Sequence, residues 1–407
     1  MNKFSVIYPL ILFFFVFSAC SDDDDDYGIE DIEKYSFADE SANEGKQALE
    51  NSGKDLMNHM DQMANSSAME AMEVMIYYIE TGKHFDEEFE KLFRNLDIYA
   101  NNTENSTALP NLKGASYENE SISEIFDDNV GVYHWDSETN DWVFDSGSDK
   151  IELHFPSVTD LATENDLIAT FDFSGKQAIE GIELPELIEF TLEQHNTSLI
   201  SHKMTASYDS DGLPNEMSLN TSIDDDYIIS ANAEYNKDDI NASYSVKENS
   251  LTLIEFIVSS KGDFDIETLE ESVDGPVEFV ENANISLQLA DVIFIGQANV
   301  NYIYEAEQRI YENRHSEDFD FEQAANEFVT IANENAKFII AYADSNTKFA
   351  ESEFYVVESD FDDHHYYDLQ LIFADDSRGD FEAYFQESFQ DILEELNAIL
   401  DELGIRL

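Results

Sequence analysis

Cysteine is almost absent from this chain: Cys20 is the one thiol in 407 residues. No internal disulfide can form, so the fold rests on its core, which a chain of this length with 43% apolar residues can supply. Basic residues are scarce as well, 20 Lys and Arg against 90 Asp and Glu, for a formal net charge of −70. Such a surface repels nucleic-acid phosphates and anionic lipid heads, which excludes nucleic acid as a partner and excludes membrane binding by charge. At seawater-like ionic strength the screening length falls to roughly 4 Å, and the acidity reads as adaptation to salt. No Gly-rich phosphate loop, Gly-x-Ser-x-Gly elbow or His-Glu-x-x-His stretch occurs. With 90 acidic residues, paired carboxylates arise by chance and carry no glycosidase assignment. No catalytic residue and no cofactor is expected; clustered acids leave room for weak Ca2+ binding only.

What the sequence does have begins at its N-terminus. Met1-Asn2-Lys3 is followed by a largely apolar run from Phe4 to Phe17, the small pair Ser18-Ala19, and Cys20. The run is shorter than the about 20 residues that a membrane-spanning helix needs. A basic flank, an apolar stretch and small residues before a cysteine mark an export signal over residues 1–19, cut so that Cys20 carries the acyl chains. Acylation removes the thiol as a nucleophile and makes Cys20 the membrane link. Residues 20–40 then form an acidic tether, spanning roughly 25 Å as a flexible coil.

Directly after the cysteine stand Ser21, then Asp22, Asp23, Asp24, Asp25 and Asp26. Here the chain resembles surface lipoproteins of the Bacteroidota, in which an acid-rich stretch behind the acylated cysteine directs export; Phe17 replaces the Leu usual in their lipobox. The resemblance implies lipid anchoring in the outer membrane with the body facing outward. The body is loosely similar to uncharacterised lipoproteins of that group, in a Trp hairpin, a strand ending at Phe155-Pro156, and the pairs Leu184-Pro185 and Leu213-Pro214. That similarity transfers no activity.

Residues 41–407 read as one α+β body. Residues 41–100 are predicted helical, with Met57, Met60, Met63, Ala64, Met72, Met75, Ile76 and Ile79 on the apolar face and a stop at Thr81-Gly82-Lys83. A second helix carries Phe85, Phe89, Leu92, Phe93 and Leu96. From 115 to 295 the period is two. Ile151, Leu153 and Phe155 alternate with polar residues, as do Leu167, Ala169, Phe171 and Phe173, so the segment is a long curved antiparallel β-meander. Residues 297–407 are mixed, with helices over 297–313 and 319–335, strands near 338–342, 349–357 and 369–373, and a last helix through Phe381 and Leu400. The N-terminal and C-terminal helices are expected to cover the sheet.

Four groups of residues are candidates for a site. Asp362, Asp363, His364 and His365 have the donor types of a divalent-metal site, although neighbours in a strand face opposite ways and a solvated loop is the plainer reading. Asp209 and Asp211 before Gly212 resemble the middle of an EF-hand loop, but its first and twelfth ligands would be Ser207 and Ser218, so a turn is expected. Trp135 and Trp142, if Asp136 lies opposite Asp141, become cross-strand neighbours: a sugar platform, or a pair that stabilises its own hairpin. Six methionines between Met57 and Met75 form a stripe that reads as core. Together these point to a non-catalytic binding or scaffold lipoprotein of unknown ligand. The alternatives are a carrier of lipid in a sheet–helix cavity and a surface protein that binds or degrades polysaccharide.

Overall fold

A computed structural model describes residues 32–82, 85, 126–159, 164–179, 182–209, 214–264, 279–316, 319–358, 365–381 and 383–384. The fold is α+β, a long antiparallel β-meander with a few helices. The second predicted helix, apart from Phe85, and nearly all of the last one lie outside the described residues.

From residue 32 the expected tether is ordered instead: a 3-10 turn (Ile32–Lys34) with Ile32 buried and β1 (Ser36–Phe37) lead into α1 (Ala42–Ala64) and α2 (Ser67–Thr81). Ser41 opens α1: its N–H and its hydroxyl both donate to Glu44 Oε2, each at 2.8 Å, half of a capping box. The backbone N–H of Ser41, then its hydroxyl, holds the Glu44 carboxyl below its ordinary range. The expected continuous helical stretch is divided at Asn65-Ser66. Ser66 caps α2, its side chain accepting from the Met69 N–H. The restart resets the phase. Ala68, Ala71, Met75, Tyr78 and Ile79 are buried, while Ile76, predicted on the apolar face, is 39% exposed. Gly82 follows as the expected stop, donating to Tyr78 O.

The strands that follow are β2 (Gly131–Asp136), β3 (Asp141–Asp145), β4 (Ile151–Phe155), β5 (Leu167–Ile179), β6 (Ile182–Gln194), β7 (Thr197–Tyr208), β8 (Pro214–Ile223) and β9 (Tyr227–Tyr235). After them come β10 (Asp239–Glu248), β11 (Leu251–Gly262), β12 (Val280–Leu289) and β13 (Val292–Asn299), then α3 (Val300–Asn313) and α4 (Phe321–Asn335). The described chain closes with β14 (Ala336–Tyr342), β15 (Thr347–Glu358), β16 (His365–Phe373) and β17 (Arg378–Asp380). Backbone contacts divide it into two units. Among the described residues the first holds 32–57, 235–243 and 252–384, and the second holds 58–234 and 244–251.

In the second unit β4 through β9 pair antiparallel in sequence order, and β2 pairs antiparallel with β3 and parallel with β4. The alternation read from sequence is the burial pattern: Ile151, Leu153, Phe155, Leu167, Ala169, Phe171 and Phe173 are all buried. The β6–β7 and β8–β9 turns place His195, Asn196, Asp224 and Asp225 at positive φ. Paired positive φ matches the twist of hairpin strands, and Asn and Asp adopt it at low cost. Asp224 then reaches α2, accepting from the Ala68 N–H at 3.1 Å and the Ser67 hydroxyl at 3.0 Å.

In the first unit β11 through β17 pair antiparallel in sequence order, with β1 parallel to β15. The α3–α4 hairpin is an excursion between paired neighbours, since Ala298 of β13 lies opposite Ala336 of β14. The helix predicted from residue 297 starts at Val300, because Gln297, Ala298 and Asn299 belong to β13. Phe328 of α4 stacks on Tyr367 of β16, centroids 3.7 Å apart. The β14–β15 ladder ends where Ile339 faces Glu351. Further along β15, Asn333 of α4 acts as a surrogate strand: its Nδ2 donates to Phe354 O at 2.9 Å and its Oδ1 accepts from Phe354 N–H at 2.7 Å. On α1, the buried Ser52 hydroxyl donates to Leu289 O and accepts from Asp291 N–H, pinning the β12–β13 turn. Gly45 lets α1 approach β15, since a Cβ there would meet the Phe349 ring at 2.5 Å.

Candidate functional site

Cys20, the Asp22–Asp26 run, Asp362, Asp363 and His364 lie outside the described residues. His365 does not belong to a loop: it opens β16 opposite Glu358, and its Nδ1 is buried without a hydrogen-bond partner among the described residues. No group of three or more metal-ligating side chains occurs among those residues. Ser207 and Ser218 sit on facing strands β7 and β8, paired with Glu216 and Thr205. The first and twelfth positions of an EF-hand loop are therefore strand residues here, although Asp211 and Gly212 themselves are not described.

Trp135 and Trp142 do face each other across the β2–β3 hairpin, with Asp136 opposite Asp141. Their rings meet edge-on at 5.5 Å. Both are buried, 7% and 4% exposed. Tyr78 of α2 packs on Trp135 at 4.6 Å, the Trp142 Nε1–H donates to Tyr78 O at 3.2 Å, and the Tyr78 hydroxyl donates to Val158 O at 2.6 Å. A Cβ on Gly82 would sit 2.4 Å from Trp142. Rings enclosed in this way leave no stacking face for a sugar, so the platform gives way to a core role. The methionine stripe is core too: Met57, Met60, Met63 and Met75 are buried.

What sequence reasoning missed is a polar cleft in the first unit, about 400 Å3, whose floor is built by strand register. Lys261, Asn282 and Asn299 form one transverse row across β11, β12 and β13. Ser259, Asn284, Gln297 and Lys337 form the next row, across β11 to β14. A further row on the same face, Ile257, Ser286, Ile295 and Ile339, meets Ile32 and Tyr35, which bury Ile295 and Ile339. The face thus passes from covered apolar rows to uncovered amide rows. Asn282, Asn284, Gln297 and Asn299 are half-buried, and among the described residues none of their side-chain amides hydrogen-bonds to protein. The last turn of α4, Glu334 and Asn335, forms a wall. These two residues also line a neighbouring open cleft of about 540 Å3 with Tyr302, Arg309 and Ile331.

Each lysine has a carboxylate neighbour, Lys337 beside Glu33 and the exposed Lys261 at 3.8 Å from Asp239. On its side toward β16, α3 carries a partly buried carboxylate, Glu307. Burial raises the pKa of Glu307, opposed by the Tyr367 hydroxyl, which donates to it at 3.5 Å. In the second unit, His134 and His154 lie side by side on β2 and β4, ring centroids 4.6 Å apart. Burial, then the neighbouring His134, pulls the His154 imidazole below its ordinary range. The signal that could have found the cleft is the repeated polar–Ala–polar pattern, Asn282-Ala283-Asn284 and Gln297-Ala298-Asn299, since strands are usually poor in Asn.

Scans against protein-family models, curated proteins and solved structures each gave no match. No helix among the described residues is long and apolar enough to cross a membrane.

Proposed function

We propose that this is an outer-membrane lipoprotein, anchored through acyl chains on Cys20 and facing outward, that acts as a non-catalytic binding or scaffold protein. Its ligand site in this reading is the amide-lined cleft. The observation that carries the proposal is the set of four adjacent, half-buried amides with no protein partner. None of the four amides is sealed from solvent, so each can exchange water for a ligand's hydrogen bonds. The N-terminal signal, the position of Cys20 and the Asp22–Asp26 stretch support the anchor. Each buried methylene contributes about 0.8 kcal/mol, so two or three acyl chains hold the protein on its membrane. The N-terminal and C-terminal helices would cover the curved sheet. Both clefts described are open and polar, which favours surface recognition over a lipid carrier's enclosed chamber.

Metabolic labelling with an alkynyl fatty acid tests the anchor. Label is expected on the full chain and is expected to vanish in Cys20→Ser, which leaves the membrane fraction. An unlabelled chain, or a membrane-bound Cys20→Ser, overturns the anchor. Turnover in a hydrolase screen that disappears with one carboxylate mutated overturns the non-catalytic reading.

A further inference from the structure

We infer that the cleft takes a neutral, polyhydroxylated ligand, a stretch of glycan; the inference rests on the reading of the cleft as the ligand site. The central floor strands β12 and β13 are paired on both sides, so their backbone N–H and C=O groups are engaged in the ladders. Recognition falls to side chains alone. An extended peptide added to a sheet is held through the backbone of an exposed edge strand, and β12 and β13 offer no such edge.

The side chains present are amides, each offering two donors and an acceptor that takes two bonds. The matching ligand group is one that donates and accepts at the same point, which is the hydroxyl. Charged ligands match poorly. Among the described residues Glu334 is the one carboxylate lining the cleft, with Glu305 lining its neighbour, too few for a hard cation that prefers several charged oxygens. The two lysines already face Glu33 and Asp239, and the chain's net charge of −70 repels a polyanion.

Spacing favours a chain over a single small molecule. Neighbouring strands stand about 4.8 Å apart and alternate residues along a strand about 6.6 Å apart. The amides of Asn282, Asn284, Gln297 and Asn299 therefore form a grid broad enough to engage hydroxyls on more than one sugar ring. Past the shared Glu334–Asn335 wall, Tyr302 is 58% exposed. Its ring supplies an apolar face with a polar rim, suited to stacking on a pyranose.

The test is a glycan array of neutral and sulfated oligosaccharides, probed with the detergent-solubilised full chain and with the Asn284→Thr/Gln297→Thr double variant. Threonine suits a strand and removes the amide. Circular dichroism and melting of both proteins establish that the variant is folded, and Asn284→Thr alone serves if the double variant is not. Binding of neutral glycans that weakens at least about tenfold in the variant supports the inference. Neutral-glycan binding that the variant leaves intact overturns both the inference and the assignment of the cleft. Preference for sulfated glycans overturns the neutral class, as does failure to bind any glycan. A peptide array run with the same proteins then separates the two ideas: peptide binding lost in the variant keeps the cleft as a site and discards the glycan.

Discussion

The β2–β3 hairpin of the second unit and the β12–β13 hairpin of the first both set like residues directly opposite one another. One aligns Trp135 with Trp142; the other aligns Asn282 with Asn299 and Asn284 with Gln297. Viewed as sequence, the aromatic pair reads as a sugar platform or as a pair that stabilises its own hairpin, and the amides draw no notice. The structure favours the hairpin role. Helix α2 ends over the Trp pair and supplies both a ring, Tyr78, and a carbonyl for the indole N–H. Among the described residues nothing comparable is placed over the amide rows, and four polar side chains have no protein hydrogen-bond partner. What covers a cross-strand pair, more than its chemistry, decides whether it serves the fold or the surroundings.

That contrast can be broken most forcefully at the covered pair. Trp142→Ala removes a buried indole and its hydrogen bond, and should destabilise the protein by about 3–5 kcal/mol in urea unfolding. A loss below about 1 kcal/mol would mean that the ring is not core, and would return the sugar platform to consideration.

Amides within the first unit sharpen the comparison. Asn333 makes two hydrogen bonds to the Phe354 backbone, so Asn333→Ala should cost about 1–3 kcal/mol by leaving a strand N–H and C=O unmatched. If Asn333→Ala proves neutral, the amide is not replacing a strand at that edge.

Glu307→Gln should be mildly stabilising at neutral pH, by roughly half a kcal/mol once solvent screening is allowed for. Burial raises the carboxyl's pKa in the folded state. Its favourable contribution is therefore complete below the ordinary carboxylate range and is lost as pH rises through the raised value. Melting temperatures of the two proteins should converge near pH 4 and separate toward pH 7. Separation in the opposite sense would place the group in water. The smallest effect is expected at Asn284→Thr, which should leave stability unchanged or raise it by up to about 1 kcal/mol, since Thr is the better strand residue. A clear loss in thermal unfolding would show the open amide to be structural after all.

Much of the meander was legible because its signal is local. Ile151, Leu153 and Phe155 alternate, and Asp136 opposite Asp141 fixes the Trp register, so burial and pairing followed from period two. Four features were not legible, each because a distant partner decides it. The break at Asn65-Ser66 hides in a long helix-compatible run, and Ile76 was misplaced with it. Gln297-Ala298-Asn299 reads into the helix behind it until β12 and β14 are seen on either side. The cleft needs four strands in register, from Lys261 to Lys337, before its polar rows exist at all. His365 is read as loop for the same reason: its place opposite Glu358 of β15 makes it the first residue of β16.

The α3–α4 excursion departs after Ala298–Asn299 and returns at Ala336, directly across from its point of departure. A tight turn joining β13 to β14 would preserve every strand pairing while stripping one wall from the cleft and the cover from Tyr367. The outward side of this visor can therefore drift in sequence without touching the β13–β14 ladder, while Phe328 and Asn333 on its inner side stay tied to Tyr367 and Phe354.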